Sequence, residues 1–332
     1  MRRTGSIGVD RLVFERREVR ALAPGEVRIE VHACGVCRTD LHIVEGELPP
    51  RHPEIVPGHQ IVGIVVEATR ESDVAVGTRV GVSWLGGTDG TCRFCRAGRE
   101  NLCDAPTFTG YDVDGGYATS VVARGDFVYA LDDRLDDLDA APLLCAGIIG
   151  FRALRVAGVQ PGERVGLYGF GASAHLALPV LKSWGCTVYV ATRGEEHRAF
   201  AKRLGADWVG AETGRPPEPL DRAVTFAPSG DVVVAALGAL RKGGVVAINA
   251  IHLDRMPQFD YDSLLWGERE IRSVANMTRD DAREFLALAA TLRLKPAVTA
   301  FGLEQVNDAL RAVRGGTLDG AAVVVVKAGI QR

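Results

Sequence analysis

The sequence predicts an α/β protein in two parts, one β-rich and one built on a doubly wound parallel sheet. Three observations lead there. Before Pro142 the chain reads as short strands broken by Gly and Pro, and after it strands alternate with helical stretches. Its 332 residues suffice for two domains of ordinary size.

The β-rich part comes first. Glu26 to Val31 alternates polar and apolar, the pattern of a half-buried strand. Ile61 to Val66 is an apolar run interrupted by Gly63, and Thr78 to Val82 is a further strand candidate. Leu143 to Val156 suits a helix, and Pro161-Gly162-Glu163 marks a turn. Arg164 to Tyr168 reads as a buried strand, followed by a glycine turn and a helix from about Ala174 to Trp184. Thr187–Ala191 is the next strand and Glu195–Leu204 the next helix, with further strands at Arg222–Phe226, Val245–Asn249 and Ile271–Val274. After Asn276 come a helix at Asp280–Leu292, short elements, and a terminal strand from Ala321 to Val326.

Composition narrows the function classes. The chain is 47% hydrophobic and 24% charged, as globular proteins are, and its net charge of −3 gives no basic face for nucleic acid. No apolar run approaches the length of a membrane span, and no apolar segment follows Met1-Arg2-Arg3 as in a signal peptide. A cytoplasmic protein is expected, with neither nucleic acid nor membrane as a partner. Five of the seven cysteines fall between Cys34 and Cys103. That clustering favours metal or redox chemistry over a disulfide framework.

The glycine turn reads Gly169-Phe170-Gly171-Ala172-Ser173-Ala174, a G-x-G-x-x-A pattern between strand and helix. The first glycine permits the tight turn, the second lets backbone approach a pyrophosphate, and the final small residue lets helix pack on strand. The helix N-terminus then presents unpaired N–H groups to the phosphates of a dinucleotide. An acidic residue at the end of the second strand would bind a ribose 2′-hydroxyl. Here the segment is Ala191-Thr192-Arg193-Gly194, where Thr192 offers a hydroxyl and Arg193 a guanidinium suited to phosphate. NADP is therefore expected over NAD; the competing reading is a solvated surface arginine.

Two further constellations carry metal-ligand chemistry. One comprises Cys37-Arg38-Thr39-Asp40-Leu41-His42, Gly58-His59-Gln60 and Leu144-Cys145; the other has Asp89, Cys92, Cys95 and Cys103. In these motifs and their order, the chain resembles the zinc-dependent alcohol dehydrogenases of the medium-chain dehydrogenase/reductase superfamily. The resemblance covers nearly the whole chain, though the N-terminus looks slightly short for the family. It implies a discontinuous GroES-like catalytic domain of residues 1–146 and 277–332, with a Rossmann dinucleotide-binding domain of 147–276 inserted.

The resemblance also implies roles. Cys37, His59 and Cys145 would ligate a catalytic zinc, the Cys₂His set of alcohol dehydrogenases, leaving a fourth position open for substrate. Zinc lowers the pKa of bound water from about 15.7 to about 7, on the order of 12 kcal/mol in favour of an oxyanion. Thr39 would take the alcohol proton and His42 would relay it through the cofactor ribose. Asp40 would orient His59, Arg38 would lie near the cofactor phosphates, and Trp84 would wall a pocket for slim alcohols and aldehydes. Asn249, Ile251 and Asn276 would line the nicotinamide end. Members of the family are usually homodimers or homotetramers.

Two departures stand out. Gln60 replaces the glutamate usual after the ligand histidine, and Ala321 stands where that glutamate's arginine partner would fall. Losing both avoids an unpaired buried charge. Asp89 replaces the first of four cysteines in the structural zinc lobe, making an Asp-Cys₃ set with Cys92, Cys95 and Cys103. Oxygen is a harder ligand than sulfur and should weaken the site. Two alternatives remain: a zinc-free quinone or enoyl reductase of the same superfamily, and a non-catalytic nucleotide- or zinc-binding paralogue.

Overall fold

The computed structural model describes residues 2–3, 12–49, 51–52, 54–316, 318 and 320–327. The chain divides into two compact units, Met1–Ala146 with Met277–Arg332, and Gly147–Asn276.

The first unit is organised by the strand Glu26–Val36. It pairs antiparallel with Gln60–Ala68 along one edge, and with Ser120–Arg124 and then Ala321–Val325 along the other. The sheet continues through Arg79–Val82 to Val128–Ala130 on one side, and to Val298–Gly302 on the other. Its apolar face is β-branched: Val27, Ile29, Ile61, Val65, Val80 and Val324 are all nearly inaccessible. Each such side chain contributes roughly 1.5–3 kcal/mol by leaving water. Gly63, which breaks the apolar run, sits where the pairing with Glu26–Val36 shifts register, and a Cβ there would lie 2.1 Å from the Glu30 carbonyl oxygen.

The second unit is a six-stranded, wholly parallel sheet. Its order is Trp208–Gly210, Thr187–Ala191, Arg164–Tyr168, Leu220–Thr225, Leu240–Ile248, Glu270–Ser273. Numbered along the chain, that order is 3-2-1-4-5-6, so chain direction across the sheet reverses between Arg164–Tyr168 and Leu220–Thr225. Open α/β sheets bind ligands beyond the carboxyl ends of the strands at such a point.

One helix differs from its sequence reading. The stretch expected at Leu143–Val156 instead begins as a helix at Asp137–Pro142, widens into a π-helical turn at Leu143–Gly147, and resumes as Ile148–Ala157. Pro142 cannot donate to the ladder and its ring crowds the carbonyl four residues back, so the helix loosens there. Joined end to end, Asp137–Ala157 is long and apolar enough to cross a membrane by composition, but 72% of its apolar window is buried, as in a core helix. The sequence expectation is that no apolar run reaches that length.

Candidate active site and cofactor site

Cys37 caps the helix Arg38–Glu45, and the cap builds the site. Its Sγ accepts from the Thr39 N–H at 3.3 Å, while the Asp40 carboxylate accepts from the Cys37 N–H at 2.9 Å, a reciprocal capping box. The other Asp40 oxygen lies 3.0 Å from His59 Nδ1, and both residues are fully buried. That contact assigns the proton to Nδ1 and leaves Nε2 as a donor atom for a metal; it faces Cys37 Sγ at 3.4 Å. Cys145 is delivered by the π-helical turn. The ligand atoms of Cys37, His59 and Cys145 all lie within 4.8 Å of one another.

The electrostatics of the cluster suit a cation. The neighbouring Cys145 and burial push the Cys37 thiol well above its ordinary range. Burial opposes charge on His59, yet Asp40 and Cys37 override it and raise the imidazole well above its usual value. Protons thus balance the negative charge these groups would otherwise gather. A divalent cation among the same three donors would displace those protons.

Thr39 is buried on the same helix as His42, three residues apart and so on one face. His42 Nδ1 pairs with Glu47, and Arg38 is exposed on the first turn. Trp84 meets the His59 ring edge-on at 5.1 Å and stacks on Phe108 at 4.9 Å and on Tyr111 at 6.0 Å. Sequence reading named only the indole. Phe108 and Tyr111, which fix its plane, carry no local motif. Gln60 is buried, and its Nε2 finds no hydrogen-bond partner among the described residues.

Asp89, Cys92, Cys95 and Cys103 also converge, their ligand atoms within 4.8 Å of one another. One Asp89 oxygen accepts from the Thr91 and Cys92 N–H groups at 2.7 and 2.8 Å. These bonds, Cys92's first, hold the carboxyl well below its usual range and so keep it anionic. Burial and the neighbouring thiols of Cys103 and Cys92 push Cys95 up to about 12. Backbone N–H groups, those of Cys95 and Asp104 first, instead hold the Cys92 thiol below its ordinary range, so an anionic oxygen and a readily ionised thiol sit beside a reluctant one, a set that a dication would complete. Glu100, between the ligands, accepts from the Arg279 backbone N–H at 2.7 Å and from its guanidinium at 2.7 Å, tying the lobe to the helix Arg279–Leu292.

In the second unit, Gly169 follows Arg164–Tyr168 with φ +86°, and a Cβ there would come within 2.9 Å of the Ala227 nitrogen. Gly171 has open space where its Cβ would be, room for a ligand to approach the backbone. The helix Ala172–Ser183 starts there, with Ser173 in its first turn and Ala174 fully buried. Thr192 is turned inward: its Oγ1 accepts from the Phe170 N–H at 3.2 Å. The hydroxyl expected to meet the cofactor also shapes the glycine turn. Arg193 is exposed and pairs with Glu212 at 2.8 Å. Arg198, not picked out by sequence, donates to the Thr192 carbonyl at 3.2 Å; a second arginine five residues on was the available signal. Asn249, Ile251 and Asn276 follow the carboxyl ends of Leu240–Ile248 and Glu270–Ser273, Ile251 exposed and Asn276 left-handed at φ +57°.

Comparison with known proteins agrees with this chemistry. Residues 23–133 match the family model described as alcohol dehydrogenase GroES-like domain, and residues 174–291 that described as zinc-binding dehydrogenase. The chain is 43% identical over 332 residues to the Mycobacterium tuberculosis protein named "Probable alcohol dehydrogenase AdhA", covering 98% of this chain and 96% of that one. It is 35% identical to an alcohol dehydrogenase of Geobacillus stearothermophilus, over 92% of this chain and 93% of that one. A thermostable alcohol dehydrogenase from Pyrobaculum aerophilum shares the fold, with a TM-score of 0.88 at 23% identity and 98% of each chain covered.

Proposed function

The chain belongs to the zinc-binding, GroES-like alcohol dehydrogenase family of oxidoreductases, and from that premise we propose that it interconverts small alcohols with aldehydes or ketones, using NADP in preference to NAD. The convergence of Cys37, His59 and Cys145, with Asp40 behind the imidazole, carries the reading. A zinc-free reductase has no use for that set.

A zinc held by Cys37, His59 and Cys145 would supply Lewis acidity toward a substrate oxygen, and a nicotinamide held by the second unit would supply hydride exchange. The remaining work falls to the chain. Asp40 fixes the His59 tautomer. Thr39 takes the alcohol proton, and His42, one turn along the same face, passes it on. Trp84, held by Phe108 and Tyr111, narrows the approach and favours slender substrates. Asp89, Cys92, Cys95 and Cys103 hold a second, structural zinc.

Gly169, Gly171 and the helix from Ala172 receive the pyrophosphate, Thr192 keeps that turn in shape, and Arg38 is a further phosphate ligand. Arg193 and Arg198 put two cations at the end of Thr187–Ala191, where an acidic residue would have favoured a ribose hydroxyl. Asn249, Ile251 and Asn276 meet the nicotinamide end. All seven cysteines are free thiols, which suits the reducing cytoplasm.

Reduction of a short aldehyde panel with NADPH and with NADH, before and after chelation, tests the reading. Turnover should vanish on chelation, return with zinc, and favour NADPH. Full turnover by metal-free protein would overturn the mechanism; a preference for NADH would overturn only the cofactor assignment.

A further inference from the structure

We propose that Asp137 is a positioning residue for Cys145, holding the helix that delivers this metal-binding thiol in register with the strands that carry Cys37 and His59. The inference rests on the zinc reading above and adds to it a residue that no metal-ligand motif contains.

The three donors reach the cluster by different routes. Glu26–Val36 ends immediately before Cys37, and Gln60–Ala68 begins immediately after His59, so one pair of hydrogen-bonded strands sets two of the donors. Cys145 is not on the sheet. It lies in the π-helical turn that continues the helix Asp137–Pro142. Its distance from the other two therefore depends on how that helix seats on the sheet.

Two contacts fix the seat. At the first residue of the helix, the buried Asp137 carboxylate bridges two strands across the intervening Gln60–Ala68. Its Oδ2 lies 2.8 Å from Nδ1 of His32 on Glu26–Val36, and its Oδ1 accepts from Nε of Arg79 on Arg79–Val82 at 2.6 Å. The Arg79 guanidinium also donates to the carbonyls of Asp132 and Leu135 at 3.2 and 2.6 Å, holding the chain that enters the helix. Gly81 lies two residues further along that strand, on the same face. A Cβ there would lie 2.5 Å from Leu144 Cδ2, so the missing side chain is the seat for Leu144. Leu144 is fully buried and directly precedes Cys145. One strand thus grips the helix at its start through charge, and beside the ligand through shape. Apolar packing alone tolerates small slides, whereas charge-assisted hydrogen bonds are directional. With both contacts made, the helix can neither slide along the sheet nor turn about its axis, and Cys145 is held opposite Cys37 and His59.

The test compares Asp137→Asn, Gly81→Ala and, as a control for general destabilisation, Val27→Ala in full-length protein. Val27 is fully buried in the same sheet, at the end of Glu26–Val36 away from Cys37. Zinc affinity is measured by chelator competition, and the site is read from the thiolate-to-cobalt bands after cobalt substitution. Outer groups that orient metal ligands contribute about 10–100-fold in metal affinity. Asp137→Asn, acting through the helix, should lose about 10-fold at the Cys37, His59 and Cys145 cluster, shift its cobalt bands, and leave metal affinity at the Asp89 cluster unchanged. Gly81→Ala, which forces Leu144 aside and keeps the ion cluster, should weaken the same site and no other. In a Cys145→Ser background the loss from Asp137→Asn should disappear, because the residue through which it acts has gone. Wild-type zinc affinity and cobalt bands in either Asp137→Asn or Gly81→Ala would overturn the proposal. So would an equal loss in Val27→Ala, or a loss that persists in the Cys145→Ser background. Cys145→Ser binding zinc as tightly as the wild type would instead bring down the metal-site reading, and this inference with it.

Discussion

Arg193→Ala isolates the cofactor preference. The Arg193 side chain is 78% exposed, and its Nε sits 2.8 Å from a Glu212 oxygen. A 2′-phosphate arriving there must displace that carboxylate. Hydrogen bonds to charged groups contribute roughly 1.5–3 kcal/mol, and exposure places this one at the low end. Giving up an exposed ion pair costs roughly 0.2–1 kcal/mol. The net is about 1 kcal/mol, or about 5-fold in the KM for NADPH. NADH, with a hydroxyl at that position, should lose nothing. Glu212→Gln should move the other way, lowering the KM for NADPH by about 2- to 5-fold because the competing carboxylate has gone. Initial rates against both cofactors at one ionic strength measure this. Equal losses with NADH and NADPH in Arg193→Ala would refute the argument, since the arginine would then support the loop and not the phosphate.

Burial holds the His175 imidazole down to about 4, against an ordinary value near 6.5. As pH falls the unfolded chain takes up the proton first, so this group removes stability progressively from about pH 6.5 to about pH 4. Between pH 7 and 5 the wild type should lose about 2 kcal/mol more than His175→Leu in denaturant unfolding; matching losses would rule out the buried ring as the cause. Glu100→Ala should destabilise the first unit by about 1–2 kcal/mol by removing the main partner of the part-exposed Arg279, which keeps Asp126 at 3.3 Å. Burial alone would raise the Glu100 pKa, but Arg279 lowers it. The pair's contribution is therefore present above the unfolded value near pH 4.3 and disappears as pH falls through the folded one, so wild type and Glu100→Ala should converge in acid melts. Trp84→Ala should raise kcat/KM for branched or aromatic aldehydes relative to short ones by about 10-fold, within the roughly 1–3 kcal/mol that apolar pocket contacts discriminate; an unchanged ranking would place the indole outside the pocket.

The sequence was most legible where local chemistry and chain order coincide. Thr187–Ala191 appears with the ends its apolar run suggested, and the alternation of strand and helix after Pro142 becomes a parallel sheet. The spacings that bring Cys37 and His59 together are legible because a capping cysteine and a histidine after a left-handed glycine are local arrangements. Residues that meet only after folding were not. Glu100 reaches Arg279 across 179 positions, and Glu212 finds Arg193 only because two neighbouring strands bring their ends together. The inward turn of Thr192 was hidden for the same reason: a strand end gives the residue, and the neighbouring loop decides which way its hydroxyl faces.

The paired departures at positions 60 and 321 show how packing and charge constrain each other near the metal donors. Gln60 is 2% exposed, and a Cβ on Gly35, its partner across the sheet, would lie 2.9 Å from the Gln60 carboxamide carbon. The long side chain at position 60 therefore needs glycine at position 35. A glutamate at position 60 would fill the same space but would bury a carboxylate, and position 321, where the family resemblance would put its arginine partner, holds an alanine. The amide accepts a smaller penalty, an Nε2 with no hydrogen-bond partner among the described residues. One unpaired amide donor costs roughly 1–3 kcal/mol, whereas a buried carboxylate left without its partner costs roughly 3–5 kcal/mol. Glutamine with alanine is thus a self-consistent pair, and it leaves Cys37, His59 and Cys145 free of an added negative neighbour.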